Sequence, residues 1–256
     1  MSLDGKQLSL PERIDLALVG RMLRFADHEP LAAAQRVLDG VRRPDGVDSH
    51  LAASLLRLRG LVLDNDDAAD VFAGRAGRLS ALSQEHRLLR GLRDCLAMVR
   101  SRAVAGTPPD GWFGVELFRT MTAELPRFRN NDLRRGPPWD AQLYVSYPAA
   151  EQLNGLLDTF DMRRCYRDLP IVFHALHPIR QAFRVFWRFA RIAPFPDFNV
   201  VIGWLVMNAW LQAKGFPMLA SEPGDTLLVS RLIGGPPPTR IVQFEARLLA
   251  ALGEAA

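Results

Sequence analysis

The stretch formed by residues 191–217 constrains the fold more than any other part of the chain. It reads RIAPFPDFNVVIGWLVMNAWLQAKGFP, a loop rich in proline and phenylalanine followed by an apolar run. The apolar run predicts a helix over residues 199–214, and Gly215 followed by Pro217 ends such a helix in the usual order. Its most apolar part, residues 200–210, is far too short to cross a bilayer. We therefore expect a buried helix that begins directly at the loop.

Helical periodicity dominates the remaining sequence. Periodicity, capping residues and prolines predict helices over residues 9–25, 30–41, 47–63, 112–125, 148–160, 170–191 and 239–252, and one that Ser80 or Ser83 caps and that ends near residue 103. Residues 130–147 contain Gly136-Pro137-Pro138 and the short run Leu143-Tyr144-Val145, which together predict an irregular hairpin. The sequence thus predicts an all-α fold with one short hairpin.

The loop and its helix resemble, without a gap, the signature of Fic-domain proteins, His-Pro-Phe-x-Asp/Glu-Gly-Asn-Gly-x-x-x-Arg at a loop-to-helix junction. Its scaffold positions are present as Pro194, Phe195, Asp197 and Asn199. Its chemical positions are replaced. Ala193 stands for the His, Phe198 and Val200 stand for the two Gly, Val201 stands for the Arg often found after the second Gly, and Trp204 stands for the final Arg.

The resemblance extends over about residues 50–220. Residues 177–189 are similar to the family's helix before the signature, and residues 126–132 and 143–160 are similar to the segments on either side of its flap. Residues 55–60 stand where many members carry an inhibitory helix, whose Glu is replaced here by Arg59. In the family that Glu pairs with the final Arg of the signature, so both partners of that pair are replaced.

The resemblance implies an all-α, Fic-like helical bundle with a short β-hairpin flap. We divide the chain into an N-terminal helical extension (1–48), the Fic-like core (49–220) and a C-terminal loop and helix (221–256). This division is an expectation from the helical pattern and from the extent of the resemblance.

The replaced residues remove each part of nucleotidyl transfer. Ala193 offers no base for the proton of an attacking hydroxyl. Phe198 and Val200 put side chains where bare backbone N–H groups would approach phosphate oxygens. Val201 and Trp204 supply no charge to balance a phosphate. The sequence therefore predicts a Fic-like fold without AMP transfer and without a bound cofactor.

The candidate site residues surround the loop and the flap. In the family the acid at the position of Asp197 binds Mg²⁺ on the nucleotide. For Asp197 itself we favour N-capping of the helix, with acid or base catalysis in an apolar pocket as the alternative. Asn199 either caps the same helix or presents its amide to a ligand, and Trp204 is expected to point into the pocket. The predicted ligand pocket comprises Phe198, Asn199, Val201, Trp204, Arg191, Trp139 and Tyr144; loop anchoring is the competing role for Trp139 and Tyr144.

Charged and metal-binding residue types give weaker signals. The net charge is +4, and acidic residues interleave with the arginines, which argues against nucleic-acid binding. Arg180, Arg184, Arg188 and Arg191 form a helical stripe that we expect to be solvated or internally paired, with an anion-binding face as the alternative. His174 and His177 lack a third ligand, and Cys95 and Cys165 are too few for a disulfide framework, so no metal site or disulfide is predicted.

Two functional hypotheses remain open. The first is a non-catalytic Fic-like protein that binds a protein partner or a ligand. The second is a repurposed enzyme whose apolar pocket acts on a small hydrophobic or acyl-type substrate, for example in natural-product biosynthesis; the bulk of the replacing side chains favours it. Residual transfer from a nucleotide through a new base is a third and weaker hypothesis. All three place the protein in the cytoplasm, because the sequence has no signal-peptide-like or membrane-length apolar segment.

Overall fold

The structure is a computed structural model that describes residues 47–130, 132–142, 145–163, 173, 178–216, 218–221 and 225–234. Within these residues the chain forms α1 Val47–Arg57, α2 Asn65–Ala73, α3 Gln84–Val104, α4 Gly111–Thr122, α5 Leu153–Asp158, α6 Phe160–Arg163, α7 Pro178–Ile192, α8 Asn199–Ala213 and α9 Asp225–Gly234. There are two short 3₁₀-helices in this part of the chain. One, Pro126–Phe128, follows α4, and the other, Ala150–Gln152, directly precedes α5. The predicted helices at 9–25, 30–41 and 239–252 lie outside the described residues.

Helix α8 is the centre of the fold. Every residue from Asn199 to Leu211 is buried, and the helix packs against α7, α3, α4 and α1. A helix that is apolar on all sides is stable only when other elements surround it. The predicted buried helix that begins directly at the loop is therefore confirmed.

Local capping signals position the helices that pack on α8. The Ser83 hydroxyl accepts the His86 N–H at 3.1 Å and caps the start of α3. Of the two caps predicted for this helix, Ser80 and Ser83, the structure uses Ser83. Helices α3 and α4 approach closely at Gly91, where a Cβ atom would lie 2.3 Å from the Met121 carbonyl oxygen. A glycine at this position lets the two backbones meet, and it fixes how α4 lies beside the central helix.

Several helix boundaries differ from the sequence prediction. Helix α1 ends at Arg57 because the chain turns at Gly60, which has a φ of 85°. Helix α2 was not predicted, since its first turn consists of charged and polar residues; the Asp64 carboxylate caps it and Gly74, with a φ of 66°, ends it. The single helix predicted over 148–160 is divided into Ala150–Gln152 and α5.

The predicted hairpin has no strand in the part of it that the structure describes, residues 130, 132–142 and 145–147. Leu143 and Tyr144, the centre of the predicted strand run, lie outside the described residues. The described part is irregular and contains turns and bends. We call residues 132–142 the flap segment.

The chain after α8 returns to the core. Ser221 N–H donates to the Ser54 hydroxyl at 3.0 Å, and the Ser221 hydroxyl donates to the Ser54 carbonyl. Helix α9, which was also not predicted, packs against α7. The proposed division at residues 48 and 220 stays a prediction. None of the described helices combines the length and the apolar character that crossing a membrane requires.

Truncation of Trp204 tests whether α8 is the core of the fold. Its side chain is 1% exposed, its ring meets Phe186 edge-on at 5.5 Å, and its Nε1–H donates to the Leu219 carbonyl at 2.9 Å. Trp204→Ala should lower the free energy of unfolding by about 3–5 kcal/mol, because it leaves a large cavity. The Leu219 carbonyl loses one donor and keeps the other, the Asn208 side-chain amide. Chemical denaturation measures the free energy of unfolding.

The matched control is Trp139→Ala, since the Trp139 side chain is 58% exposed. This variant should lose less than about 1 kcal/mol. Equal losses for the two variants would show that α8 is not the packed centre described above.

Candidate functional site

The loop between α7 and α8, residues 193–198, is fixed by aromatic packing. The Phe195 ring stacks on Phe118 with centroids 4.3 Å apart and lies 5.9 Å from Phe189. Ala193 and Phe198 have φ angles of 43° and 61°. Both values fall in the left-handed region, which costs a non-glycine residue about 1–2 kcal/mol. At Phe198 the backbone thus keeps a glycine-type conformation although a large side chain stands there.

The flap segment is fastened to this loop through main-chain groups. Arg134 N–H donates to the Pro194 carbonyl at 2.9 Å, and Trp139 N–H donates to the Pro196 carbonyl at 2.7 Å. The buried Arg134 guanidinium adds a bond of 2.6 Å from its Nε to the Ala193 carbonyl. These bonds hold the flap segment over the loop without a regular hairpin.

Asp140 of the flap segment caps α8. Its Oδ2 accepts the Asn199 backbone N–H at 2.6 Å, and its Oδ1 accepts the Asn199 side-chain amide at 2.7 Å. Burial raises the pKa of Asp140, and the nearby Asp197 charge acts in the same direction. Sequence reasoning missed Asp140, because it lies in an irregular, proline-rich segment with no periodic signal.

The Asn199 side chain is used entirely within the loop. Its oxygen accepts the Phe195 N–H at 2.8 Å, and its amide donates to the Phe195 carbonyl at 2.9 Å as well as to Asp140. The residue is 2% exposed. The alternative that Asn199 presents its amide to a ligand therefore does not describe this structure.

Asp197 forms a bidentate ion pair with Arg59. Arg59 Nε lies 2.5 Å from Asp197 Oδ1, and Arg59 Nη2 lies 3.3 Å from Oδ2. The Asp197 side chain is 2% exposed and that of Arg59 is 35% exposed. This hydrogen bond raises the pKa of Arg59, although burial acts in the opposite direction. Asp197 differs from its predicted capping role: the backbone N–H that its Oδ1 accepts, at 2.8 Å, is that of Phe198, one residue before α8.

A second arginine covers the same carboxylate. Arg127 Nη2 lies 3.7 Å from Asp197 Oδ2. The Arg127 guanidinium also lies over the rings of Phe128, Trp139 and Phe198, at 4.6, 5.8 and 5.9 Å from their centroids. Such contacts stabilise a cation beside an aromatic surface. We call Arg59, Arg127, Asp140, Asp197 and Asn199 the Asp197 cluster.

The apolar replacements in the signature lie in the core. Phe198 is 1% exposed, Val201 0% and Trp204 1%. The predicted ligand pocket required these side chains as walls of an open cleft, and Trp204 was expected to point into it. The expectation of an open cleft is wrong because the apolar α8 lies at the centre of the bundle, where bulky side chains pack against neighbouring helices.

A cavity of about 620 Å³ lies elsewhere in the molecule. Its described lining comes from the chain before α5, from α5 and from the last turns of α7: Ser146, Tyr147, Pro148, Gln152, Gly155, Leu156, Thr159, Arg188, Arg191 and Ile192. Of the predicted pocket residues, only Arg191 is among the described lining of this cavity. The Trp139 ring lies next to Arg127, a member of the Asp197 cluster. Tyr144 lies outside the described residues.

The described arginines of the stripe on α7 are buried or half-buried, and Arg191 donates to the Ile233 carbonyl, which agrees with the internally paired alternative and not with a solvated face. Arg184 is 4% exposed, Arg188 and Arg191 are half-buried, and the Arg180 side chain lies outside the described part. Among the described residues, no three or more His, Cys, Asp or Glu side chains gather in a way that would hold a metal ion. Burial raises the pKa of the Cys95 thiol; Cys165, His174 and His177 lie outside the described residues.

Comparison with known proteins identifies the architecture. No family model matches the sequence, and no curated protein matches it. Among solved structures, a Fic domain containing signaling protein from Bacteroides thetaiotaomicron matches with a TM-score of 0.63 at 18% identity, over 88% of this chain and 93% of that chain. Fic-1 from C. elegans matches with a TM-score of 0.66 at 14% identity, over 95% of this chain and 73% of that chain.

The fold is that of Fic-domain proteins. The all-α, Fic-like architecture expected from the signature is thereby confirmed. In this Fic fold the Asp197 cluster lies at the signature loop, and Arg59 is bound directly to Asp197 of that loop.

Substitution of Arg59 tests the ion pair. Arg59→Ala should lower the free energy of unfolding by about 1–3 kcal/mol. Breaking a fully buried pair costs about 3–5 kcal/mol, and the partial exposure of Arg59 reduces that cost. Arg59→Glu should cost more than Arg59→Ala, because it places a carboxylate against the buried Asp197. Chemical denaturation at low and high salt measures both.

The matched control is Arg90→Ala. Arg90 pairs with Glu124 at 3.2 Å on the surface, with side chains 48% and 43% exposed, and its loss should cost at most about 0.5 kcal/mol. If Arg59→Ala costs no more than Arg90→Ala, the Arg59–Asp197 pair does not stabilise the loop.

Proposed function

We propose that this Fic-fold protein has lost AMP-transferase activity and acts as a non-catalytic protein that binds a partner or ligand. The observation that carries the proposal is the Arg59 guanidinium bound to both oxygens of Asp197. In the family that the signature resembles, the acid at this position binds Mg²⁺ on the nucleotide. Here a side-chain cation lies against the acid.

The residues around Asp197 do not fit a divalent cation. Mg²⁺ requires oxygen ligands in an octahedral arrangement at about 2.0–2.1 Å. Both Asp197 oxygens face Arg59, and Arg127 lies 3.7 Å from one of them. A metal ion would have to displace one arginine and approach a second against like-charge repulsion.

The start of α8 does not fit a phosphate group. Helix N-termini bind phosphates through backbone N–H groups and the helix dipole. In this protein the first such group, Asn199 N–H, already donates to the Asp140 carboxylate at 2.6 Å. An incoming phosphate would meet the negative charge of Asp140 and the side chains of Phe198 and Val200. This supports the loss of the phosphate site independently of Arg59.

The repurposed-enzyme hypothesis is not supported by the burial of the side chains that suggested it. It depended on Phe198, Val201 and Trp204 as walls of a new apolar pocket, and these side chains are at most 1% exposed. Asp197, its candidate acid or base, is bound by Arg59 instead of facing an open cavity. We therefore retain the binding role alone.

Restoration of the missing base should not restore transfer. The wild-type protein and the Ala193→His variant, each incubated with ATP labelled on its α-phosphate, Mg²⁺ and a cell lysate, should add no protein label beyond that of the lysate alone. The base, the phosphate site and the counter-charge act as a unit, so one of them alone supplies little.

A catalytically intact Fic-domain protein in the same lysate is the positive control, and thermal melting of Ala193→His checks that this variant is folded. Label transferred by the wild type would refute the proposed loss of activity. Label transferred by Ala193→His alone would show that a working metal and phosphate site persists.

A further inference from the structure

The cavity of about 620 Å³ has the size of a small-molecule site. Ligand pockets in proteins commonly span about 300–1,000 Å³. The cavity lies between the C-terminal half of α7, α5 and residues 146–148, and none of its described lining residues belongs to the Asp197 cluster. Ser146 on its rim is exposed, so the cavity opens to solvent.

The charged groups on the described lining are all positive. Arg188 and Arg191 both line the cavity, and no acidic residue is among the described lining. The Arg191 guanidinium is held in place by a 2.9 Å bond from Nη1 to the Ile233 carbonyl and by the Trp187 ring, whose centroid lies 5.0 Å away. The first contact uses one of the five N–H groups of the guanidinium. The described lining therefore carries two positive side chains, three residues apart on one helix.

Neutral polar groups complement the arginines. The Tyr147 hydroxyl oxygen accepts the Gln142 N–H at 2.9 Å, so its own proton is directed to another acceptor. Burial raises the pKa of Tyr147, whereas the charges of Arg191 and Arg134 act in the opposite direction. Tyr147 is therefore a phenol at neutral pH, and a phenol donates a hydrogen bond.

Part of the lining is apolar. Pro148, Leu156 and Ile192 contribute hydrocarbon surface next to the polar groups. Gly155 adds open space, because a Cβ atom built on it meets no atom within 4 Å. A ligand here would need one charged end and one apolar body.

We propose that this cavity binds a small organic carboxylate, whose anionic group contacts Arg188 and Arg191 and whose apolar body lies against Pro148, Leu156 and Ile192. Planar guanidinium groups match the geometry of a carboxylate, and such charge-assisted bonds are stronger than neutral ones. The proposal rests on the binding role proposed above and names its ligand class.

Calorimetry with two matched probes tests the proposal. The wild-type protein is titrated with 2-naphthoate and with its neutral analogue 2-naphthamide, which share the aromatic body and differ in charge. We expect 2-naphthoate to bind with a dissociation constant below about 1 mM. The dissociation constant of 2-naphthamide should be higher by a factor of about ten or more.

Two kinds of variant remove the site in different ways. Arg188→Gln/Arg191→Gln removes the charges, and Gly155→Phe fills the cavity while leaving both arginines in place. Each should weaken 2-naphthoate binding about tenfold or more. Arg90→Gln, which removes an exposed arginine of α3 that pairs with Glu124, should leave binding unchanged. Thermal melting confirms that each variant is folded; Gly155→Phe keeps the test valid if the double arginine variant does not fold.

Three results would overturn the proposal: no heat with 2-naphthoate, equal affinity for the two probes, or unchanged affinity in folded Gly155→Phe. The AMP-transfer assay separates this failure from that of the proposed function. Label transfer by the wild type refutes the non-catalytic role whatever the naphthoate result, whereas absent naphthoate binding without label transfer refutes the anion site alone.

Discussion

The ion pair between Arg59 and Asp197 joins the turn after α1 to the loop before the central helix, across 138 positions of the sequence. A carboxylate that is 2% exposed needs a partner, because burial of an unpaired charge is strongly unfavourable. Arg127 and Asp140 complete the balance, so two positive and two negative side chains meet over the start of α8. The cluster supplies the cap of α8 and balances the buried charge of the loop, while aromatic packing and main-chain bonds hold the loop and the flap segment in place.

In the proposed function, the cluster stands where the resemblance implies the parts of a nucleotide site. Arg59 lies where the resemblance implies a cation, and the Asp140 carboxylate takes the helix N–H that would face a phosphate. Phe198 keeps the left-handed backbone of a glycine position while its ring packs near Phe128, with centroids 5.9 Å apart. The site is thus satisfied internally, and the open cavity beside α7 becomes the more suitable place for a ligand.

Local patterns in the sequence predicted much of the fold. The apolar run of α8, the Ser83 cap of α3 and the scaffold residues of the signature are contiguous signals, and each led to an element that the structure contains. Helix α2 escaped prediction because its first turn is rich in aspartate and its large apolar residues are few. The hairpin was expected from a β-type run whose centre, Leu143 and Tyr144, the structure does not describe.

The candidate site was harder to predict because it depends on contacts between distant residues. The replacement of an acid by Arg59 was visible in the sequence, but its pairing with Asp197 requires the folded arrangement of α1 and the loop. The orientation of Trp204 followed from the central position of α8, which overrides the analogy with an arginine that faces a ligand. Arg191 borders a cavity, but this cavity is not the predicted pocket between the flap and the signature loop.

We propose that side chains of the protein occupy the positions at which the resemblance implies a cation and a phosphate. Calorimetric titration of the wild-type protein with ATP and Mg²⁺ tests it most directly. We predict no heat of binding at ligand concentrations up to about 1 mM, because Arg59 and Asp140 hold both positions. A micromolar dissociation constant would contradict the claim and would mean that other arginines have rebuilt a phosphate site.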